Sequence, residues 1–262
     1  MAGKKLDLVV VAPTFYPSVD DLRYLLGAEA CRQAAEQKIS LLLIDASPLE
    51  QVKHGLEDAG KPFVRVVQQK WEGKKGVALR EAIHVAFKEL SKSEDDSVIA
   101  FMELEKVDMF RHWNPLVQHM VDTNSDVTVP RRADASFRTT YPIEQYFSEN
   151  FVNLYLDSLG REIGLAPIDW TMGPVAFRSK FANHWLEYEG DLWDVQLVPL
   201  VNAHSIGAKV SSFKVDYQHP PTMKEQEEGS ALWGEKRLYQ INVLKDTVGA
   251  RMKKIAQQAK NQ

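Results

Sequence analysis

Residues 98–108, VIAFMELEKVD, decide how the fold is interpreted. Five mostly apolar residues, 98–102, predict a buried strand, which runs directly into two glutamates separated by one residue, Glu103 and Glu105. In an open α/β sheet, ligands bind beyond the carboxyl ends of the strands, where polar side chains converge. Two carboxylates at such a point can hold a hard divalent cation, which in turn holds phosphate oxygens. The alternative is that the strand has simply ended and both glutamates are solvated.

The composition is that of one globular domain. The chain has 262 residues, of which 44% are hydrophobic, which is enough for a sizeable core. Its formal net charge is -4, so it offers no broad basic surface, and we expect no nucleic acid as a partner. The single cysteine, Cys31, excludes internal disulfides and metal sites of the CxxC kind.

We expect no membrane span and a cytoplasmic location. No apolar run approaches the roughly 20 residues that cross a bilayer. The short apolar run near the N-terminus ends at Pro13, which fits a first strand better than a signal peptide.

Strand and helix patterns alternate through the first 110 residues. This order predicts an α/β fold in which a mostly parallel sheet with right-handed crossovers is flanked by helices. Ser18 or Asp20 is the expected N-cap of the first helix, and the charged segment 91–97 is expected to be a turn. The predicted strands are 6–12, 39–44, 63–67 and 98–102, and the predicted helices end near 37, 59 and 90.

Two common phosphate-binding motifs are missing from the sequence. No GxGxxG follows the first strand, and no GxxxxGK[ST] occurs, so neither a dinucleotide-binding Rossmann domain nor a P-loop is supported. The segment 73–76, Gly-Lys-Lys-Gly, stands before a predicted helix and can meet a phosphate through charge and backbone N–H groups. A solvated basic turn is the alternative interpretation.

Polar features follow each of the first four strands in turn: Pro13-Thr14, Asp45, Lys75-Gly76 and Glu103-Leu104-Glu105. In order and spacing they resemble the nucleotide-sugar half of glycosyltransferases with the GT-A fold, a Rossmann-type fold, including family 2 enzymes. The resemblance covers about residues 6–110. It implies one continuous domain, with a nucleotide-sugar-binding half at 1–110 and an acceptor-binding half at 111–262.

The resemblance also implies roles for individual residues. Asp45 is expected to meet the base, Lys75 to approach the diphosphate, and the acid-x-acid pair to hold Mg²⁺ or Mn²⁺ and the ribose. The family usually has Asp-x-Asp at this point, so each carboxylate here stands outward by about one methylene. The residues assigned to the nucleotide sugar are Pro13, Thr14, Asp45, Gln68, Lys75, Glu103 and Gly173.

The second half begins with a predicted strand at 126–130, followed by Arg131 and Arg132. A fork-shaped guanidinium suits a carboxylate or a phosphate, so Arg131 is a candidate to clamp the acceptor or the diphosphate. A surface salt bridge is the alternative. The segment 141–156 carries aromatic residues at helical spacing, which we interpret as a stripe packed in the core.

Two further segments resemble glycosyltransferases of this type. A small turn at Gly173 precedes a predicted strand, which lets the backbone pass close to a donor sugar. The loop 188–194 is polar and aromatic, as sugar binding requires, and ends at Asp194. Asp194 or Asp191 could act as the general base of an inverting enzyme, and Asp194 is equally suited to cap the helix predicted at 195–203.

An alternating strand at 209–217 leads to His219 in a proline-rich turn. A lone histidine is usually a surface residue or a satisfied one. Here the pattern resembles mannosylglycerate synthase and the glucosyl-3-phosphoglycerate synthases, retaining GT-A enzymes whose late histidine completes the metal site. The resemblance implies that Glu105 and His219 are metal ligands. The segment 223–262 predicts a charged turn and an amphipathic helix that packs on the domain or on a second copy, as in a homodimer.

The expected function is metal-dependent transfer of a hexose from a nucleotide diphosphate sugar to a small acceptor, with retention. A nucleotidyltransferase is one alternative, although it would usually carry a glycine-rich, arginine-containing loop after the first strand. A nucleotide-sugar-binding protein without catalysis is the other, because Glu-x-Glu departs from the usual metal motif.

Overall fold

The computed structural model describes residues 6–90 and 97–260, which share one seven-stranded sheet. The strand order is β3-β2-β1-β4-β6-β5-β7, and every neighbouring pair is parallel except that β6 runs antiparallel to β4 and β5. The expected mostly parallel α/β sheet is confirmed. The strands are β1 (Asp7–Thr14), β2 (Ser40–Asp45), β3 (Val64–Gln68), β4 (Ser97–Phe101), β5 (Val127–Arg132), β6 (Val175–Arg178) and β7 (Val210–Val215).

Helices cover both faces of the sheet, so its central strands are buried on both sides. Neighbouring residues of β1 show this: Val10 packs in the core on one face and Val11 in the core on the other. A strand buried on both faces is apolar at consecutive positions. Short apolar runs in the sequence therefore predicted β1, β2 and β4. The helices are α1 (Leu22–Glu36), α2 (Glu50–Gly60), α3 (Lys75–Leu90), α4 (Phe110–Thr123), α5 (Asp134–Thr140), α6 (Ile143–Glu162), α7 (Ala182–Leu186), α8 (Asp194–Ser205), α9 (Pro221–Glu227), α10 (Ala231–Leu244) and α11 (Ala250–Lys260).

The strand register brings the ends of β1, β2 and β3 together at one edge of the sheet. Thr14 is the register partner of Asp45, and Asp45 is the register partner of Gln68. The same edge receives the chain that leaves β4 at Glu103. The predicted convergence of polar residues at the carboxyl ends of the strands is therefore found.

Several local predictions were wrong. Helix α1 is capped by Asp21, whose carboxylate accepts the N–H groups of Arg23 and Tyr24, and not by Ser18 or Asp20. At the C-terminus the first part of the predicted charged turn forms α9, whereas the predicted helix is present as α10 and α11, which a π-helical segment, Lys245–Gly249, joins without a break. The turn predicted at 91–97 lies, except for its last residue, outside the described residues.

The aromatic stripe of α6 also differs from the prediction. Its core side consists of Val152, Leu156 and Leu159, whereas Phe147 and Phe151 are 62% and 72% exposed. The helical period was correct, but period alone does not say which of two apolar faces turns inward.

Across the ranges 6–90 and 97–260, no helix is both long enough and apolar enough to cross a bilayer.

Candidate active site

A cavity of about 270 Å³ opens where the chain leaves β4. Its walls come from the segments after β4 and β7, from the turn before β6, and from helices α6, α8, α9 and α10. Five of the residues predicted from the sequence line it: Lys75, Glu103, Glu105, Gly173 and His219. These residues are up to 144 positions apart in the chain, so the fold brings together what the sequence shows only as separate signals.

Glu103 is held by cationic and amide groups at the bottom of this cavity. Its carboxylate accepts hydrogen bonds from Lys75 Nζ and, at 3.1 Å, from Gln196 Nε2, and Lys106 Nζ lies 3.9 Å away. Burial alone would raise the pKa of the Glu103 carboxyl, but the charges of Lys75 and Lys106 lower it to about 2. Glu103 is therefore ionised at neutral pH, and it anchors Lys75 at the carboxyl end of β4.

Glu105 points into the same cavity from the other side of the buried Leu104. Its Oε1 lies 2.8 Å from the guanidinium of Arg23 on α1. The Glu105 side chain is 13% exposed, whereas that of Arg23 is 53% exposed. The two acids of the Glu-x-Glu motif therefore each carry a basic partner.

His219 lies against the aromatic wall of the cavity. Its ring stacks on that of Tyr141 with the centroids 4.2 Å apart, and its Nε2 lies 3.7 Å from Glu227 Oε2. Burial lowers the pKa of His219, although Glu227 acts in the opposite direction, so the imidazole is neutral at neutral pH. Neither ring nitrogen is hydrogen-bonded within the described part of the chain. Neutral imidazole is also the form that binds metals.

At the edge formed by the ends of β1, β2 and β3, Asp45 does not have the environment that was expected. Its carboxylate accepts hydrogen bonds from Thr14 Oγ1 at 2.8 Å and from Ser47 Oγ at 2.7 Å, and it is 1% exposed. Asp45 therefore joins the ends of β1 and β2 and is not open to a base. Pro13 and Gln68 lie at the same edge, where Gln68 is exposed, but neither is among the described residues that line the cavity.

The N-terminus of α3 is closed by the loop 188–193. The N–H of Gly76 donates to the carbonyl of Asp191 at 2.9 Å, and a Cβ at Gly76 would collide with the Gly190 carbonyl. Arg80 donates to the carbonyls of Tyr188 and Gly190. The N–H of Gly76 is therefore not free for a phosphate, and among residues 73–76 only Lys75 lines the cavity.

The three residues predicted to act in catalysis lie elsewhere. Asp194 begins α8 and accepts hydrogen bonds from Tyr188 Oη at 2.6 Å and from the N–H of Leu192, so it braces its own loop. Asp191 is half-exposed and lies 3.9 Å from Arg80. Arg131 is exposed and lines a second pocket, between β5 and α6. None of the three is among the described residues that line the cavity.

Arg132, which follows Arg131 in the sequence, is the buried member of the pair. Its guanidinium makes ion pairs with Asp169 at 2.7 Å and Glu149 at 2.8 Å, and it donates to Thr171 Oγ1 at 2.8 Å. Burial alone would raise the pKa of the Asp169 carboxyl, but the charge and hydrogen bonds of Arg132 lower it to about 2. This network fixes the turn that carries Gly173 into the cavity.

Sequence reasoning missed the wall contributed by α10. Trp233, Lys236, Arg237 and Gln240 all line the cavity, and their spacing of three, four and seven residues places them on one helix face. Lys236 Nζ lies 3.9 Å from the centroid of the Trp233 ring. This spacing was present in the sequence, but nothing in it connects this helix face with the segments after β4 and β7.

The sequence matches neither a protein-family model nor a curated protein, whereas solved structures share its fold. One is glucosyl-3-phosphoglycerate synthase from Mycobacterium tuberculosis in complex with Mn²⁺, UDP-glucose and phosphoglyceric acid. Its TM-score is 0.55 at 14% identity, with 94% of this chain and 80% of that chain covered. The same enzyme with Mn²⁺, UDP and phosphoglyceric acid gives a TM-score of 0.54 at 12% identity, covering 94% and 78%.

A third structure, the synthase in complex with phosphoglyceric acid, gives a TM-score of 0.54 at 12% identity over 85% of this chain and 75% of that chain. At identities this low, the structural similarity shows the fold and not the activity. The chain therefore has the GT-A-like fold of the glucosyl-3-phosphoglycerate synthases, as the polar features after its first four strands predicted.

Proposed function

We propose that this chain is a glycosyltransferase that transfers a hexose from a nucleotide diphosphate sugar to a small acceptor. The observation that carries the proposal is the meeting of Glu103, Glu105 and Lys75 in a cavity at the carboxyl end of β4, within a GT-A-like fold. The neighbouring synthase structure holds UDP-glucose and phosphoglyceric acid, which supports a nucleotide-sugar donor and a small acceptor.

A divalent cation, Mn²⁺ or Mg²⁺, belongs to this proposal. Among the described residues no group of three or more His, Cys, Asp or Glu side chains is arranged to hold a metal. Nucleotide-bound Mg²⁺, however, usually takes only one or two protein ligands, with phosphate oxygens and water completing its shell. Glu103 Oε2 and the ring nitrogens of His219 are buried without a hydrogen-bond partner in the described chain, so donor atoms remain for such an ion.

Glu105 and His219 are the proposed metal ligands, with Glu103 beside them. When bound, the cation supplies charge that stabilises the leaving diphosphate. The chain's own cations act on the same charge: Lys75, Lys106 and Arg23 line the cavity, and each can turn from its glutamate toward a phosphate oxygen. Binding of a diphosphate therefore exchanges ion pairs within the protein for ion pairs with the ligand.

We favour a retaining mechanism. An inverting enzyme needs a carboxylate that is free to take a proton from the acceptor. Asp191 and Asp194 lie outside the cavity. Of the glutamates that line it, Glu149 and Glu227 are paired with arginines, and Glu103 and Glu105 face the proposed cation and diphosphate. Their ion-pair partners are Lys75 for Glu103, Arg23 for Glu105, Arg132 for Glu149 and Arg237 for Glu227.

The test is a thermal-shift screen of nucleotide diphosphate sugars with and without Mn²⁺ or Mg²⁺, followed by an assay for nucleotide release and glycoside formation. A ligand that binds only the native state raises its stability by about 2.7 kcal/mol at a hundredfold excess over Kd. We expect a metal-dependent shift that His219→Ala abolishes and that His54→Ala, an exposed change on α2, leaves intact. Binding without product would favour the non-catalytic alternative, and no shift with any donor would refute the proposal.

The cytoplasmic location and the homodimer stay predictions of the sequence. The C-terminal helix α11, which was a candidate for the dimer contact, packs on α6 and α8 of its own chain, with Met252 buried. A contact between copies would therefore use another surface.

A further inference from the structure

Lys236 on α10 is a cation of the cavity that has no carboxylate partner. It lines the cavity and is itself exposed, which places it at the mouth. Its Nζ lies 3.9 Å from the centroid of the Trp233 ring. Within the described part of the chain it makes no hydrogen bond and no ion pair. Its only structural partner there is the indole of Trp233.

An aromatic ring holds an ammonium group in a different way from a carboxylate. The face of the indole attracts the cation through the quadrupole of the ring, but the ring carries no net charge. The positive charge of Lys236 is therefore not cancelled by its partner. Lys75, in contrast, has to leave Glu103 before it can neutralise a phosphate oxygen. Lys236 can meet an anion without first breaking an ion pair.

The charges around Lys236 indicate what kind of anion it meets. Partial burial and the charges of Arg23 and Lys75 lower the pKa of Lys236, whereas Glu227 and Glu105 act in the opposite direction. Three cations, carried by α1, α3 and α10, therefore act on the same part of the cavity. A concentration of positive charge in a cleft favours a ligand that carries several negative charges in a small volume.

We propose that Lys236, held on the ring of Trp233, binds the diphosphate of the nucleotide sugar at the mouth of the cavity. This inference rests on the proposed function, because that function supplies the diphosphate. Lys75 and Lys236 then contact the diphosphate from two different helices, α3 and α10. The wall contributed by α10 is accordingly part of the donor site, and Trp233 is the positioning residue of its lysine.

Inorganic pyrophosphate is the first probe, because it has the two phosphates of the donor but neither base nor sugar. Titration calorimetry of the full chain with Mg²⁺ present measures its Kd. We expect Lys236→Met to raise this Kd about tenfold, because a charge-assisted contact with phosphate is lost. Lys236→Arg keeps the charge and should bind nearly as the wild type does. Without ligand, Lys236→Met should melt at nearly the wild-type temperature, because the exposed lysine makes no ion pair within the described chain.

Lys253→Met is the matched control. Lys253 also lies over an aromatic ring, with its Nζ 5.9 Å from the centroid of Tyr155. It is exposed on α11 and is not among the described residues that line the cavity. Its replacement should leave the Kd for pyrophosphate unchanged.

A second measurement follows the indole directly. When pyrophosphate draws the ammonium of Lys236 away from the ring, the fluorescence of Trp233 should change. We expect a fluorescence change in the wild type that both Trp233→Phe and Lys236→Met reduce at saturating pyrophosphate. An undiminished change in both variants would show that another tryptophan reports the binding and would count against the assigned contact.

Two results of the titrations would overturn the inference: a wild type that does not bind pyrophosphate, or a Lys236→Met protein that binds it as tightly as the wild type. Failure of the proposed function gives a different result. Pyrophosphate would then bind through Lys236, but no nucleotide diphosphate sugar would stabilise the wild type or yield a glycoside.

Discussion

Gly173 lies directly against the carboxylate of Glu103: a Cβ on Gly173 would be 2.7 Å from Glu103 Oε2. The backbone of Gly173 also has φ +102, a conformation that side chains with a Cβ rarely adopt. Two independent reasons therefore require glycine at this position. The turn before β6 and the acid after β4 are consequently one structural unit.

Gly173→Ala should destabilise the protein by about 1–3 kcal/mol, because it adds backbone strain and pushes Glu103 from its pocket. The displaced carboxylate would also release Lys75, so we expect weaker nucleotide-sugar binding. Urea unfolding and ligand-induced thermal shifts measure the two effects. Gly207→Ala is the matched control, since Gly207 has φ +98 with nothing within 4 Å of the added Cβ. Gly207→Ala should lose stability through backbone strain alone and should bind nucleotide sugars as the wild type does. An equal loss of binding in both variants would contradict the contact between Gly173 and Glu103.

Arg132→Ala should be among the most destabilising single changes in this chain. It leaves Asp169 and Glu149, which are 3% and 5% exposed, as buried carboxylates without their cation. Breaking a buried ion pair from one side costs about 3–5 kcal/mol. Arg131→Ala, at the exposed neighbouring position, should change the free energy of unfolding by no more than about 0.5 kcal/mol. Chemical denaturation of the two variants decides this, and similar losses in both would contradict the inward orientation of Arg132.

The contrast between Arg131 and Arg132 illustrates what the sequence could not determine. The parallel sheet, its order of strands and helices, and the polar edge beyond β1, β2 and β4 followed from local patterns that each element carries in its own residues. Whether a given arginine meets a ligand or a buried aspartate depends on a partner 37 positions away, and nothing in the local pattern identifies that partner.

The same limit explains the other displaced site residues. Asp45 and Asp194 have the residue type and the position that a ligand contact needs. Each carboxylate, however, accepts hydrogen bonds from nearby hydroxyl groups of the protein. Glu103 was found because it comes two residues after β4, where the direction of the chain fixes the side chain's location. His219, four residues after β7, was predicted from the resemblance to the synthases and not from its own pattern. The α10 wall was missed because its helix contacts the site from the far end of the chain.

The ion pair of Asp169 predicts a loss of stability in acid. The pKa of this carboxyl is about 2 in the folded protein, below its value near 3.8 in an unfolded chain. A lowered pKa contributes stability that is complete above the unfolded value and is lost as the pH falls toward the folded value. We therefore expect the free energy of unfolding to fall by about 2 kcal/mol from this group between pH 4 and pH 2.

Urea titrations at several pH values measure this dependence, and Asp169→Asn is the informative variant. It should be less stable than the wild type at neutral pH and should lose less stability between pH 4 and pH 2. Asp58→Asn is the control, because Asp58 is on the surface of α2 and is 66% exposed. An acid dependence that Asp169→Asn leaves unchanged would show that other carboxyl groups cause it.

Some buried tyrosine hydroxyl groups have no hydrogen-bond partner in the described chain, so removing them should not destabilise the protein. Tyr16 Oη and Tyr217 Oη are buried and lack a hydrogen-bond partner among the described residues, whereas Tyr188 Oη donates to Asp194 at 2.6 Å. Replacing an unpaired buried polar group with an apolar one of the same shape is neutral or stabilising, while removing one partner of a made bond costs about 1–3 kcal/mol. Tyr16→Phe and Tyr217→Phe should therefore keep or raise the melting temperature, and Tyr188→Phe should lower it.

Comparing the Tyr217 and Tyr16 variants distinguishes an effect on stability from an effect on ligand binding. Tyr217 lines the cavity, and Tyr16 is not among the described residues that do so. If a ligand supplies the missing partner, Tyr217→Phe should weaken nucleotide-sugar or acceptor binding although the free protein is no less stable, and Tyr16→Phe should leave binding unchanged. Thermal shifts with and without ligand measure both quantities in one experiment. A clear loss of stability in the free Tyr217→Phe protein would mean that this hydroxyl already has a partner.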